Sequence, residues 1–410
     1  MRRIPLYVQI IVCMVAGMLL GIFAPGAAKH IDWIGTLFMN ALGMLIVPII
    51  FFSVSLSVSE ISTGGKGDLK RIGAKTVFWY VATMLLAVAT GVLLVRFIRP
   101  GAGVTVPAAE VPDLVTSTSV SDIISGFIPS NVFYAFAHNN TIPVIFLALV
   151  IGITVPRLSE KSRDVLTVGM KSAYELTMRI TRAIISLSPF GIFAIVAGQF
   201  AAISDVLLML RNMLFYVITV AAGLAIHTFI TLPLLLRLAG RVRPWAHLRN
   251  MSVPMITAFS TASSGATLPL TLDAVEKKDG VSRRIADFVV SLGATVNMNG
   301  AALLECVAVI FIAQVYGVEL GLVQTLLICF LSLMCAIGSA GIPMSAMVMM
   351  AIILSAVGLP VEGIGLVIGV DRILDMLRTA VNVYGDTCIA VLVAKSEKED
   401  LSIDLNKKNQ

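Results

Sequence analysis

Charge is what this sequence has least of. Asp, Glu, Lys and Arg make up 13% of its 410 residues and hydrophobic residues 58%, whereas a soluble globular chain carries about 25% charge and about 45–50% apolar residues. So little ionic surface argues against a water-exposed fold and for a polytopic membrane protein. Cysteine is also sparse. Cys13, Cys306, Cys329, Cys335 and Cys388 lie in apolar stretches without a CxxC pair, which argues against a disulfide frame or a zinc site and leaves small packing residues. No basic cluster is interleaved with aromatics, so the net charge of +6 reads as membrane topology and not as nucleic-acid affinity. A GxSxG elbow is missing as well, which leaves an intramembrane serine hydrolase built on Ser263 or Ser264 without support. The sequence therefore predicts neither an enzyme nor an organic cofactor.

What is present is a series of apolar runs. Arg2 and Arg3 precede a run over 5–24 that is longer than the roughly 7–15 residues of a signal-peptide core. It reads as a first transmembrane helix with a cytoplasmic N-terminus. After a short loop carrying Lys29 and Asp32, a second helix is expected over 33–57, kinked at Pro48. A loop over 59–75 with Lys66, Lys70, Arg71 and Lys75 then belongs in the cytoplasm. The third span, 76–97, contains Tyr80 and Thr83, and a lysine-poor segment over 99–121 suits the exterior. The fourth region, 123–155, is too long for one simple crossing and is interrupted by Pro129, Asn139, Asn140 and Pro143, which predicts a broken helix.

Residues 156–171 are basic and read as cytoplasmic. The fifth span continues to about residue 200, with Arg179 and Arg182 placed to snorkel and Ser188-Pro189 interrupting its middle. The sixth, 205–238, exits into Arg237, Arg241, Arg243 and Arg249. His227 inside it reads either as a proton relay or, more simply, as a hydrogen-bonded interhelical residue.

Two later stretches, 252–272 and 326–359, each hold a small-residue tract between apolar arms, centred on Ser263-Ser264-Gly265 and on Ser339-Ala340-Gly341-Ile342-Pro343. Each reads as a hairpin that enters the membrane and returns, a pattern that marks binding sites in transporters. A polar-bearing helix follows each one. The first, 285–313, carries Gly293, Thr295, Asn297-Met298-Asn299-Gly300 and Glu305; the second is 363–394. The order hairpin, helix, hairpin, helix suggests an inverted repeat.

On the last of these helices, at 100° per residue, Asp371, Asp375, Arg378, Thr379, Asn382 and Asp386 share a wedge of about 100°. A charge at mid-bilayer costs about 2.5–3.5 kcal/mol, so this face needs a buried destination away from lipid. Arg378 lies too deep to snorkel. A structural ion-pair seam with Asp375 at i, i+3 is an alternative, but it leaves Thr379 and Asn382 unexplained. As a site, Asp375 suits an ammonium and Arg378 a carboxylate in fork geometry, together a zwitterion with an extra carboxylate. The Ser263-Ser264-Gly265 tip offers N–H and hydroxyl groups to an anion, or a small-residue helix contact. Asn297 to Gly300 supply amide oxygens and, where Gly300 lets the helix unwind, carbonyls for a hard cation. Glu305, without a basic neighbour in sequence, reads as a protonatable carrier or as a hydrogen-bonded structural acid.

These residues resemble a known family, the glutamate transporters of the dicarboxylate/amino acid:cation symporter group. The similarity runs from Met44-Leu45-Ile46-Val47-Pro48 through Ser263-Ser264-Gly265-Ala266-Thr267-Leu268-Pro269 and Gly293-Ala294-Thr295-Val296-Asn297-Met298-Asn299-Gly300. It continues through Ala340-Gly341-Ile342-Pro343 to Asp371-Arg372-Ile373-Leu374-Asp375-Met376-Leu377-Arg378-Thr379 and Asn382. The resemblance implies an all-α polytopic membrane protein with eight transmembrane helices, two re-entrant helical hairpins and inverted repeats. It also implies a homotrimer of an elevator-type transporter in the cell membrane, with both termini cytoplasmic.

The same resemblance assigns residues 1–72 to scaffold helices 1 and 2, 73–118 to transport-domain helix 3 and an exterior loop, 119–171 to a broken scaffold helix 4 and 172–203 to scaffold helix 5. Residues 204–241 become transport-domain helix 6, 242–394 the transport core and 395–410 a cytoplasmic tail. By motif match, Ser263, Ser264, Gly341, Ile342, Asp375, Arg378, Thr379 and Asn382 would bind substrate. Gly293, Asn297, Asn382 and Asp386 would hold one sodium ion, and carbonyls near Thr295, Met298, Ala336, Ile337 and Ser339 a second. A third sodium site, of which Tyr80, Thr83 and Asn297 remain, has Met84 for a hydroxyl residue and Asn299 for an acid, so it should be weakened. Glu305 matches the proton-carrying glutamate of animal members. Ala301 replaces a threonine common in acidic-substrate members, and the second arginine is missing at Ala262 and Met376. The implied activity is import of glutamate or aspartate with sodium, protons or both. A dicarboxylate or neutral amino acid symporter on the same fold is the alternative.

Overall fold

The computed structural model describes residues 6–62, 68–103, 128–138, 140–202, 206–338 and 345–405. Among them the chain is helical, and its one extended pairing is an isolated antiparallel bridge between Val242 and Asp404. Helix α1 is Leu6–Phe23 and α2 is Pro25–Ser62. The expected loop around Lys29 and Asp32 is instead the first two turns of α2, because Pro25 at the first helical position has its φ already set for a helix. Lys70, Arg71 and Lys75 likewise belong to α3, Asp68–Ile98; long basic side chains are good helix formers and carry the helix beyond the apolar run. Lys66 lies outside the described residues, as do 104–121 of the expected exterior segment and 123–127 of the fourth region.

The broken fourth region appears as α4, Val132–Ala137, and α5, Thr141–Thr154. Asn131 caps α4, its Oδ1 accepting from the Tyr134 N–H at 3.2 Å. A 3₁₀ turn, Val155–Arg157, leads into α6, Glu160–Ser186, so most of the expected basic loop is helix. Helix α7, Ser188–Ala202, departs from α6 with a bend of 57°, where Pro189 removes a backbone donor. Helix α8, Val206–Ile226, widens into a π-helical turn at His227–Thr231 before α9, Leu232–Leu238. Pro233 has no N–H for the ladder there.

Helix α10 is Pro244–Asn250, and the first hairpin is α11, Ser252–Thr261, and α12, Ser264–Ala274. Its corner is Ala262, held at φ 48°. A π-helical turn, Val275–Asp279, leads on to α13, Arg283–Val296, and α14, Asn299–Val315. Helices α15, Leu322–Gly338, and α16, Ser345–Ala356, flank the second expected tip, where Ser339, Gly341 and Ile342 lie outside the described residues. A 3₁₀ segment, Val361–Leu366, enters α17, Ile368–Ser396.

Five of these helical runs are long and apolar enough to cross a membrane, or six with the bent α6–α7 pair. The centre is α14, buried at every residue except Gln314; a helix apolar on all sides belongs inside. Helix α3 packs on α14, α11 packs along α17, and α1, α2, α5 and α7 pack on one another. The two groups meet where Ser57 Oγ of α2 donates to the Ile337 carbonyl at 3.3 Å. The five cysteines are free, with Cys306, Cys335 and Cys388 buried, as packing residues would be. Beyond α17 the chain folds back as a clip. Glu397 accepts from Arg71 Nε at 3.1 Å and from Lys75 Nζ at 2.6 Å, and the Arg243 N–H donates to the Ile403 carbonyl at 2.8 Å.

Candidate functional site

The polar wedge of α17 is buried as a unit: Asp371, Asp375, Arg378, Thr379, Asn382 and Asp386 are each 5% exposed or less. The ion pair that the i, i+3 spacing allows is formed, with Arg378 Nε and Nη2 each 2.8 Å from Asp375 Oδ1. Arg372, off the wedge, reaches Asp375 Oδ2 only at 3.5 Å. Thr379 Oγ1 donates to the Asp375 carbonyl at 2.7 Å. The seam alone does not explain the face, because its lower half turns outward to another helix.

That partner is the junction of α13 and α14. Asn382 Oδ1 accepts from the Gly300 N–H at 2.7 Å, and its Nδ2 lies 3.1 Å from Met298 Sδ. Asn297 Nδ2 donates to Asp386 Oδ1 at 2.8 Å. The helix breaks at Asn297 (φ −93°, ψ 75°) and Met298 (φ −101°, ψ 59°), not at Gly300. Gly300 serves close approach: a Cβ there would stand 2.8 Å from the Arg378 carbonyl oxygen and 3.0 Å from its Cα. Only hydrogen lets α14 and α17 touch backbone to backbone.

Gly293, Asn297, Asn382 and Asp386 converge, since a Cβ on Gly293 would meet Asp386 Oδ1 at 2.5 Å and Tyr80 Oη at 3.0 Å. Tyr80 Oη donates to the Val289 carbonyl, and Thr83 Oγ1 lies 3.4 Å from Asn299 Oδ1. Asn297 Oδ1 and Asn299 Nδ2 are buried without hydrogen-bond partners among the described residues. An orphaned acceptor beside a carboxylate suits a hard cation; an orphaned amide donor does not, and Met84, next to Thr83 in the chain, is fully buried.

Of the second expected ion set, Thr295 and Met298 stand at the end of α13 and just beyond it, Ala336 and Ile337 near the end of α15, and α13 touches α15. Ser263 has a use that its motif did not disclose: it caps α12, accepting from the Ala266 N–H at 3.2 Å. Ser264 is buried at the first position of that helix.

Glu305 is fully buried, and neither carboxylate oxygen has a hydrogen-bond partner among the described residues. Its charged neighbours are Arg378 and Asp371. The hydrogen-bonded reading of His227 is corrected: both ring nitrogens lack hydrogen-bond partners among the described residues. Sequence reasoning missed His247 and Asp279, which form a buried pair. They stand 32 positions apart on either side of the first hairpin, where no periodicity links them.

A family model described as the sodium:dicarboxylate symporter family matches residues 6–396. Excitatory amino acid transporter 3 of Mus musculus is 31% identical over 455 residues, covering 97% of this chain and 86% of its own length. The proton/sodium-glutamate symport protein of Bacillus caldotenax is 31% identical over 421 residues, covering 97% and 96%. An excitatory amino acid transporter of Caenorhabditis elegans is 31% identical over 424 residues, covering 92% and 84%. With its polar helix, its broken partner and this match over nearly the whole length, the chain belongs to the sodium:dicarboxylate symporter family.

Proposed function

We propose that this protein is a secondary active symporter that imports glutamate or aspartate together with sodium, protons or both. The observation that carries the reading is the buried pair of Asp375 and Arg378, one turn above an amide–carboxylate cluster that joins α17 to the break in its neighbour. A substrate ammonium replaces Arg378 as the partner of Asp375, and a side-chain carboxylate replaces Asp375 as the partner of Arg378. Each buried charge then exchanges one counter-ion for another and is never left bare, which keeps the desolvation cost low. Thr379 and Asn382 bind the rest of the substrate, with Ser263, Ser264, Gly341 and Ile342 contributed by the hairpins.

Sodium is cargo in this scheme. Gly293, Asn297, Asn382 and Asp386 take one ion, and carbonyls at Thr295, Met298, Ala336, Ile337 and Ser339 take another. The third site is weak, because Asn299 and Met84 replace harder ligands, and Glu305 carries a proton instead. The architecture we propose has eight crossings and two re-entrant hairpins, arranged as three copies of a fixed scaffold with a moving core in a cell membrane, both termini cytoplasmic. The separate packing of α1, α2, α5 and α7 supports the division into scaffold and core.

The test is uptake of labelled glutamate and aspartate by purified protein in liposomes, with sodium and pH gradients imposed separately and with malate and serine as competitors. Uptake of an acidic amino acid under at least one gradient is expected. Failure under both, or displacement by malate or serine as effective as by glutamate, overturns the substrate assignment.

A further inference from the structure

At the base of the first hairpin lies a buried polar network that the transport scheme does not use. His247 and Asp279 are both fully buried, with Nδ1 and Oδ2 2.6 Å apart. Asp279 Oδ1 accepts from Asn250 Nδ2 at 2.7 Å. Across the ring, His247 Nε2 lies 3.1 Å from Thr387 Oγ1. Asn250 ends α10 just before the hairpin, Asp279 ends the turn just after it, and Thr387 follows Asp386 on α17. The network therefore ties both feet of the hairpin to the helix that carries the wedge.

Counting protons gives one complete state in which the ring is charged. Thr387 Oγ1 lies 2.7 Å from the Tyr384 carbonyl, which can only accept, so the hydroxyl proton points there and its oxygen faces Nε2–H. An ionised Asp279 also only accepts, so Nδ1 carries a proton too. The ring is then an imidazolium against a carboxylate, with each polar atom partnered. A second state is equally complete. When Nε2 gives up its proton, the Thr387 hydroxyl rotates to donate to it, Nδ1–H stays on Asp279, and the Tyr384 carbonyl keeps its place in the helical ladder of α17.

A buried imidazole that can bind or lose a proton without orphaning any group is built to exchange one. Tyr384 lies tilted beside the ring at 5.4 Å and Cys388 lies one turn further on, while Arg237, Arg249, Lys277 and Lys278 on the adjoining elements are exposed and the buried Asp386 carboxylate is held by Asn297. Arg243 donates to the Ser402 carbonyl at 3.0 Å.

We propose that His247, held by Asp279 and partnered by Thr387, is a proton-binding site of this protein, separate from Glu305 and from the carboxylate of Asp386. Its transport consequence rests on the symport reading; its titration does not. The experiment is nitrogen NMR of the full-length protein with ¹⁵N-labelled histidine, His247→Gln identifying the resonance among the four histidines. The expected result is a ring protonated on both nitrogens at the acid end of the titration that gives up the proton on Nε2 as pH rises, and gives it up earlier when Asp279→Asn removes the counter-charge. A ring that stays neutral, or stays charged, at every pH where the protein remains folded overturns the proposal.

In liposomes, His247→Gln should shift the midpoint of the pH profile of sodium-driven uptake, where a merely structural role lowers uptake equally at every pH. Should that variant not fold, Thr387→Val removes the partner of Nε2 and must move the NMR midpoint. Absence of uptake in the unmodified protein would defeat the symport reading while leaving the titration to stand or fall alone.

Discussion

Arg378→Ala tests the proposed site most directly, because the side chain has two roles that separate in measurement. In the folded protein it is one half of a buried pair whose side chains are 5% and 3% exposed. Breaking such a pair from one side costs about 3–5 kcal/mol, and Arg372 at 3.5 Å is too distant to compensate fully. Arg378→Ala should therefore lower the thermal unfolding temperature in detergent, and Asp375→Asn combined with it should restore part of the loss by removing the bare carboxylate. The second role is recognition. A charge-assisted hydrogen bond is worth about 1.5–3 kcal/mol, which at about 1.4 kcal/mol per decade raises the KM for glutamate about tenfold to a hundredfold. Serine, with no side-chain carboxylate, should lose far less. Arg378→Lys keeps the charge without the fork and should fall between, with near-native stability. Proteoliposome uptake over a range of glutamate concentrations reads the effect, and a KM within about twofold of native in Arg378→Ala would refute the role given to this residue.

Gly300→Ala forces a methyl against the Arg378 backbone at 2.8–3.0 Å; overpacking of this kind costs about 1–3 kcal/mol, and calorimetric destabilisation with reduced uptake is expected, while a native melting curve would contradict the backbone contact. Glu305→Gln should leave folding intact and lower uptake driven by a pH gradient alone by about tenfold or more, the low end of what a lost proton-transfer group costs; unchanged proton-driven uptake would remove Glu305 from the mechanism. Asn299→Asp with Met84→Ser should steepen the sodium dependence of uptake by restoring hard ligands, and an unaltered slope would show that the third site is not limited by them. At the tail clip, Arg71 and Lys75 hold the Glu397 carboxyl down at about 2 from an ordinary 4.5. The clip is thus fully stabilised by this contact above the ordinary value and loses it as pH falls toward about 2. Hydrogen-exchange protection of residues 397–405, taken relative to the intrinsic rate at each pH, should fall with acid, and Glu397→Gln should show that lower protection already at neutral pH.

The sequence by itself determined the membrane character, the order of apolar runs and the wedge on α17, because composition and a period of 3.6 residues are local properties that survive without a fold. It also placed the first hairpin's tip within a residue of its corner at Ala262, and it marked the interruptions at Ser188-Pro189 and in 123–155, where turn and breaker residues act on their own neighbours. Helix ends were less legible, since Lys29, Lys70 and Arg71 belong to helices that outrun their apolar cores. Only the tertiary structure decided that the break beside the wedge falls at Asn297 and Met298 and that Gly300 is there for contact. It alone found that His227 and Glu305 are buried without hydrogen-bond partners among the described residues, and that His247 and Asp279 meet. Each of these depends on which distant group occupies the facing surface. Burial turns a polar side chain from solvated to either paired or orphaned, and that difference lies in the partner and not in the residue.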